Sequence, residues 1–125
     1  MSYDFAALLV RVHDGDTVFL DLDLGFHVWL HATRSARVVE DQASRLARIN
    51  APELRMRDLV TGKLIDNPAG LASRDALSAF LAGKTLAVQS IKSEKFGRYL
   101  IELIADGVNV NDWMVTNGFA IYQSY

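Results

Sequence analysis

Residues 17 to 24, TVFLDLDL, alternate without a break. Val18, Leu20, Leu22 and Leu24 fall on one side, Phe19, Asp21 and Asp23 on the other. This is the period of a half-buried β-strand, and a ribbon of that kind must hide its apolar face against more sheet or a helix. Asp14-Gly15 precedes it, a pair favoured in tight hairpin turns. Before that, FAALLVRV (5–12) has the apolar content of a partner strand. A β-hairpin is therefore the first unit of the fold. Asp21 and Asp23 sit opposite the leucines, where solvent accounts for them. Asp16 shares the parity of Val18 and Leu20, and a charge at the rim of a buried face needs a partner.

Further along, FHVWLH (26–31) alternates again and reads as strand, with His27, Trp29 and His31 on one side. Two histidines four residues apart on a strand are separated by about 13 Å, too far to share an ion, so they read as structural. ATRSARVVEDQAS (32–44) is polar and reads as a hairpin excursion or loop. RLARI (45–49) reads as a strand, halted by Pro52. From Pro52 to Asp66 no period is sustained, which predicts a surface loop able to close over a ligand. Asn67 caps a helix with Pro68 at its first position, Ala72, Ala76, Leu77, Phe80 and Leu81 as its buried stripe, and Gly83 at its end. TLAVQSI (85–91) and RYLIELI (98–104) are strands joined by KSEKFG. Asp106-Gly107 makes a turn, a short helix begins near Asn111 and stops at Gly118, and FAIYQSY is an extended tail.

The expected fold is α+β and mainly β. It is a five-stranded OB-type Greek-key barrel with one helix between strands 3 and 4 and a short second helix after strand 5, in a single domain spanning 1–125. Half of the 125 residues are hydrophobic, enough for one core. Cysteine is absent, which excludes disulfides, thiolate metal sites and a cysteine nucleophile. Any metal must be held by oxygen or imidazole. The first dozen residues lack the basic start and apolar run of a secretory leader, so the expected compartment is the cytoplasm, with secretion open for a longer precursor. No run is long enough to span a membrane. The formal charge of −2 is unlike that of a strongly basic nucleic-acid binder. Its distribution matters more, because an acidic segment over residues 1–33 is followed by an arginine-rich one over 34–57.

Four short motifs carry the chemistry: DGDT (14–17), RLARINAPE (45–53), EKFGRYL (94–100) and NVNDWMVTNGFA (109–120). In this order, and at the ends of expected elements, they resemble the staphylococcal nuclease (thermonuclease) family, in the bacterial and phage branch that carries the INAPE spelling. The resemblance covers the chain from Ala6 to about Tyr122. It implies a metal-dependent nuclease cleaving the 5′ P–O bond of DNA or RNA to leave 3′-phosphate ends. It assigns Asp16 to metal binding, Arg45 and Arg98 to gripping the phosphoryl oxygens, and Glu53 to activating water. Lys95 and Phe96 fall where the family contacts nucleotide phosphate and base, and Asn111 where an Asn opens the second helix. The residue types suit the reaction. Guanidiniums match phosphoryl oxygens bidentately, a hard cation with oxygen ligands neutralises charge, and a carboxylate one water from phosphorus can act as base.

The chain departs from that pattern at Phe96, where the family has Tyr, and at Asn50-Ala51. The family has Asp-Thr where Asn50-Ala51 stands here. Asn50 can still ligate through its amide oxygen and Ala51 through its carbonyl, but a negative charge is lost. Weaker cation binding and reduced activity are the expectation. Calcium is the expected cofactor, with magnesium or manganese as alternatives. The expected partner is DNA or RNA, single-stranded strands favoured by an OB-type groove, with no membrane association and a monomer by default. Two further readings stay open: a catalytically weakened nucleic-acid-binding module, favoured by Asn50, and a peptide-binding barrel using Phe26 and Trp29. Without the resemblance, Asp16 is a turn cap, Arg45 and Glu53 a structural ion pair, and Arg98 a surface arginine.

Overall fold

The computed structural model describes residues 3–30, 43–93 and 99–123. The elements, in chain order, are β1 (Tyr3–Asp14), β2 (Thr17–Asp23), β3 (Trp29–Leu30), β4 (Ala43–Leu46), β5 (Ile49–Asn50), β6 (Arg55–Arg57), β7 (Leu64–Asp66), α1 (Pro68–Leu81), β8 (Leu86–Ser93), β9 (Tyr99–Ala105), β10 (Val108–Asn109), α2 (Val110–Thr116) and β11 (Ile121–Tyr122).

Strands β1, β8, β9, β4 and β2 hydrogen-bond in that order, and β1 pairs with β2 to close the ring. The long β1 makes closure possible. Its first half pairs with β8, Tyr3 to Ala7 against Ser90 to Leu86, while Ala6 to Asp14 pair with β2. The ladder is antiparallel except at β4–β9, where Arg45 lies beside Leu100. Five barrel strands, with α1 before the fourth and α2 after the fifth, reproduce the expected OB-type architecture. No helix among the described residues is long and apolar enough to cross a membrane.

Inside the barrel the alternation of β2 holds from Val18 to Leu22, whereas Leu24, expected on the same buried side, lies past the end of the strand and is exposed. Val18, Leu20 and Leu22 are buried and join Leu46, Ile49, Leu77, Leu81, Val88, Ile101, Leu103, Val110 and Met114 in one core. Phe19 is also covered, on the outer side, by the Arg11 guanidinium 4.0 Å above its ring and by His13 edge-on at 6.3 Å.

Five local expectations are corrected. FHVWLH is not a continuous strand: Gly25, Phe26 and His27 all take positive φ (83°, 53°, 59°). The strand resumes only at Trp29, after Leu24 N–H has bonded to Val28 O at 2.9 Å. His31, like the polar stretch up to residue 42, lies outside the described residues. RLARI is broken, because Arg48 adopts φ 67°. Its guanidinium holds Glu102 at 2.9 and 2.6 Å and Asp112 at 3.0 Å, and bonds of that kind offset the cost of a left-handed residue. The stretch 52–66 contains an antiparallel hairpin, Arg55–Arg57 against Leu64–Asp66. The buried face of α1 is Gly70, Ser73, Leu77 and Leu81; Ala72 is exposed, and Ala76 and Phe80 are half-buried.

The fifth correction concerns α2. Asn109 is its cap, accepting from Asp112 N–H. Asn111 is fully buried inside the first turn. There its Oδ1 accepts from Leu103 N–H (3.1 Å), and its Nδ2 donates to Ala47 O (2.9 Å) and Ile101 O (3.0 Å). One side chain thus ties the β4–β5 connection, β9 and α2 together.

Candidate functional site

Asp14 and Asp16 flank the turn between β1 and β2, and the turn needs glycine between them. A Cβ on Gly15 would lie 2.7 Å from both Ala51 Cβ and Ser73 Cβ, closer than carbon atoms approach. The DGD turn is thereby pressed against α1 and against the chain leaving β5. Asp16 is 4% exposed. Its Oδ2 accepts from Ala51 N–H at 2.8 Å and its Oδ1 from the Thr17 hydroxyl at 3.1 Å.

Arg45 lies across the β2–β4 ladder, opposite Thr17. Its Nη2 reaches Asp16 Oδ2 at 3.5 Å and donates to Asn50 Oδ1 at 3.3 Å. Asp16, Arg45, Asn50 and Ala51 are therefore brought together from three separate stretches of chain.

Burial pushes the Asp16 carboxyl up to about 6, and hydrogen bonding and repulsion from the neighbouring Asp14 carboxylate add to the rise. The Ala51 N–H and the Arg45 charge pull the other way and do not cancel it. Two carboxylates with one guanidinium is an arrangement short of positive charge. Asp14 is the member of this cluster that sequence reasoning passed over as a turn residue. Its signal was the i, i+2 spacing across a glycine, which folds the two acids back toward each other.

Glu53 is exposed, and its main chain is clamped. Its carbonyl accepts from Asn67 Nδ2 at 2.9 Å. A Cβ on Gly70 would fall 1.9 Å from the same oxygen. Glycine at this point of α1 lets the helix start touch the Glu53–Leu54 backbone, so Asn67 both caps α1 and fixes Glu53. Arg98, Lys95 and Phe96 lie outside the described residues.

Among the described residues there is no group of three or more His, Asp or Glu side chains able to hold a metal. What the cluster offers a cation is all oxygen: the Asp16 carboxylate and the Asn50 amide, with the Asp14 carboxylate adjacent. Oxygen donors beside a carboxylate that burial and a second acid make unfavourable fit a hard divalent cation. The low ligand charge implies weak binding.

Residues 43–125, which include Arg45, Asn50, Ala51 and Glu53, match the family described as staphylococcal nuclease homologue. The chain belongs to the staphylococcal nuclease family. A protein of Escherichia coli O157:H7 named "Uncharacterized endonuclease" is 31% identical over 124 residues, covering 98% of this chain and 64% of that protein. An Escherichia coli protein of the same name matches equally. The chain thus spans 64%, just under two thirds, of the length of these relatives. A rice (Oryza sativa subsp. japonica) protein named "Probable staphylococcal-like nuclease CAN3" is 30% identical over 76 residues, 61% of this chain and 17% of that protein. The alignment with the Escherichia coli relatives takes in the DGDT turn, which lies ahead of the segment matched to the family as a whole.

Proposed function

We propose that this chain is a divalent-cation-dependent nuclease that hydrolyses phosphodiester bonds of DNA or RNA. Single strands are its favoured substrate, and cleavage at the 5′ P–O bond leaves 3′-phosphate ends. The observation that carries this reading is the junction of a buried carboxyl (Asp16), a guanidinium (Arg45) and a neutral oxygen donor (Asn50) within hydrogen-bonding or ion-pair reach of one another. The nuclease names of the relatives point the same way.

Asp16, Asn50 and the Ala51 carbonyl would hold the cation, with Asp14 beside them. Bound there, a calcium, magnesium or manganese ion supplies positive charge to the phosphoryl oxygens as they gain electron density. Arg45 then exchanges its hold on Asp16 and Asn50 for the phosphate. Its planar fork can grip two oxygens at once, and a clamp acting where charge develops is worth about a hundredfold or more in rate. Arg98 is assigned the second clamp, and Lys95 and Phe96 contacts to the flanking nucleotide. Glu53 orients or deprotonates the attacking water, a role worth ~10²–10⁴. Its clamped backbone limits the positions its carboxylate can sample.

Asn50 and the engagement of Arg45 with Asp16 favour a second reading, a nucleic-acid-binding module with weakened catalysis. Degradation of a labelled oligonucleotide with calcium, magnesium or manganese, with and without chelator, separates the two. Cation-dependent cleavage that falls about a hundredfold in Arg45→Ala and in Arg98→Ala is expected. Cleavage that survives chelator, or is indifferent to both substitutions, overturns the mechanism. Binding without cleavage under every cation establishes the module.

A further inference from the structure

The β6–β7 hairpin contributes nothing to the core, yet its tip is built to a definite shape. Leu59 is 100% exposed and Val60 93%. The loop that carries them is closed by Asp58 N–H to Lys63 O and Gly62 N–H to Asp58 O, both at 2.8 Å. Gly62 takes φ 71° to complete it. Inside the loop, Asp58 Oδ1 accepts from Val60 N–H (2.8 Å) and Thr61 N–H (3.4 Å). Two branched side chains are thus held outward by a hydrogen-bonded turn.

Cations outnumber acids around them. The Asp58 carboxylate is turned inward onto those N–H groups, which lower its pKa. Asp66 lies 3.6 Å from the Arg55 guanidinium. Near the tip Arg57, laid along the turn by its bond to Gly62 O at 2.5 Å, and Lys63 outnumber the Asp58 carboxylate and leave a net positive charge. The root of the hairpin is fixed to the site. Leu54 O accepts from Asn67 N–H at 2.9 Å, one residue after Glu53 and against the start of α1.

We propose that this hairpin is a strand-engaging finger. Leu59 and Val60 press against unstacked bases, while Arg57 and Lys63 meet the flanking phosphates of the strand whose scissile bond lies at Glu53. The inference rests on the nuclease reading and adds where a long substrate is recognised. Apolar contact with base faces tolerates any sequence, and adjacent cations select a polyanion. Three extended residues, Arg55 to Arg57, carry the turn that bears Leu59 and Val60 ~10 Å from its root. A strand reaches that far, and a single nucleotide diester bound at Glu53 does not.

The test compares the wild-type protein with Leu59→Ser/Val60→Ser on two substrates, a single-stranded oligonucleotide of about 12–16 nucleotides and a mononucleotide p-nitrophenyl phosphodiester. A rise of about tenfold in KM for the oligonucleotide, with kcat/KM for the small diester within about twofold of wild type, is the expected result. An equal loss on both substrates, or no change on either, overturns the finger. Arg57→Gln/Lys63→Gln provides a second variant and is expected to flatten the salt dependence of strand binding; an unaltered salt slope counts against the charged half of the proposal. Should the wild-type protein cleave neither substrate, the nuclease reading falls by itself, and fluorescence anisotropy with the labelled oligonucleotide decides this one. Affinity about tenfold weaker in the tip variant sustains it, and equal affinity overturns it. Self-association that disappears in the tip variant while strand affinity holds would mark the tip as a contact between copies and likewise overturn it.

Discussion

Asp16 is held in a state that favours a proton. With a folded pKa of about 6 against 3.8 for an unperturbed carboxyl, the native chain binds more protons than the unfolded one between those values. Stability in chelator therefore falls as pH rises from about 4 to 6, and above 6 the full cost, at most ~3 kcal/mol, remains. Asp16→Asn keeps an acceptor for Ala51 N–H and gains a donor toward Asp14. It is expected to raise the melting temperature of cation-free protein by several degrees at pH 7–8, to abolish the pH dependence between 4 and 6, and to remove nuclease activity. Thermal denaturation across that pH range reads the first two. A melting temperature at pH 7 unchanged or lowered relative to wild type would refute the electrostatic account of the site. Asn50→Asp tests the missing charge from the other side. It should tighten calcium binding by about tenfold or more, since ligand charge sets affinity at oxygen sites, and titration calorimetry measures it directly.

At the scale of elements, two small residues and an amide decide how the site is assembled. Asn111 holds three buried main-chain groups, two on β9 and one in the β4–β5 connection. Asn111→Ala removes the partner of Leu103 N–H and of Ala47 O, while Ile101 O keeps Ala47 N–H at 2.8 Å, and is expected to cost about 2–4 kcal/mol in urea unfolding. A loss under 1 kcal/mol would mean that the groups find other partners. At Gly70, an alanine Cβ would overlap the Glu53 carbonyl, so Gly70→Ala must shift either the helix or Glu53. The expectation is a destabilisation of about 1–3 kcal/mol together with a fall in kcat that Gly83→Ala does not reproduce. Gly83 has open space around it and φ 73°, so strain alone should show in stability and leave the chemistry. These are also the places where sequence reasoning slipped. It selected the buried stripe of α1 by side-chain hydrophobicity, whereas packing onto Glu53 and the DGD turn demanded the smallest residues, Gly70 and Ser73.

For the whole molecule, the barrel closes because β1 is long enough to pair with two strands, and closure brings the first hairpin alongside β4. A net charge of −2 leaves little general attraction for a polyanion, so under the proposed function strand binding would come from local cations and a bound metal. Without divalent ions, the logarithm of strand affinity is expected to fall with the logarithm of salt at a slope of about −3.5, as for five phosphate contacts on a single strand. Anisotropy titrations at several ionic strengths measure it, and a markedly steeper slope would reveal a wider basic surface.

The sequence by itself determined the strand alternation of β2, the capped start of α1, the five-strand order of the barrel and the motifs that mark the family. All of these are local patterns, because period, turn chemistry and caps are written within a few residues of where they act. Only the tertiary structure decided that Asp16 is buried beside Asp14, that Arg45 spans Asp16 and Asn50, that Arg48 breaks the strand to bind Glu102 and Asp112, and that Leu59 and Val60 stand in water beside the site. The burial of Asp16 and the pairings of Arg45 and Arg48 depend on which distant stretch of chain comes to lie within 4 Å, and the exposure of Leu59 and Val60 on the absence of one. Desolvation, charge pairing and steric room are properties of that neighbourhood, and a pattern read along the chain does not contain it.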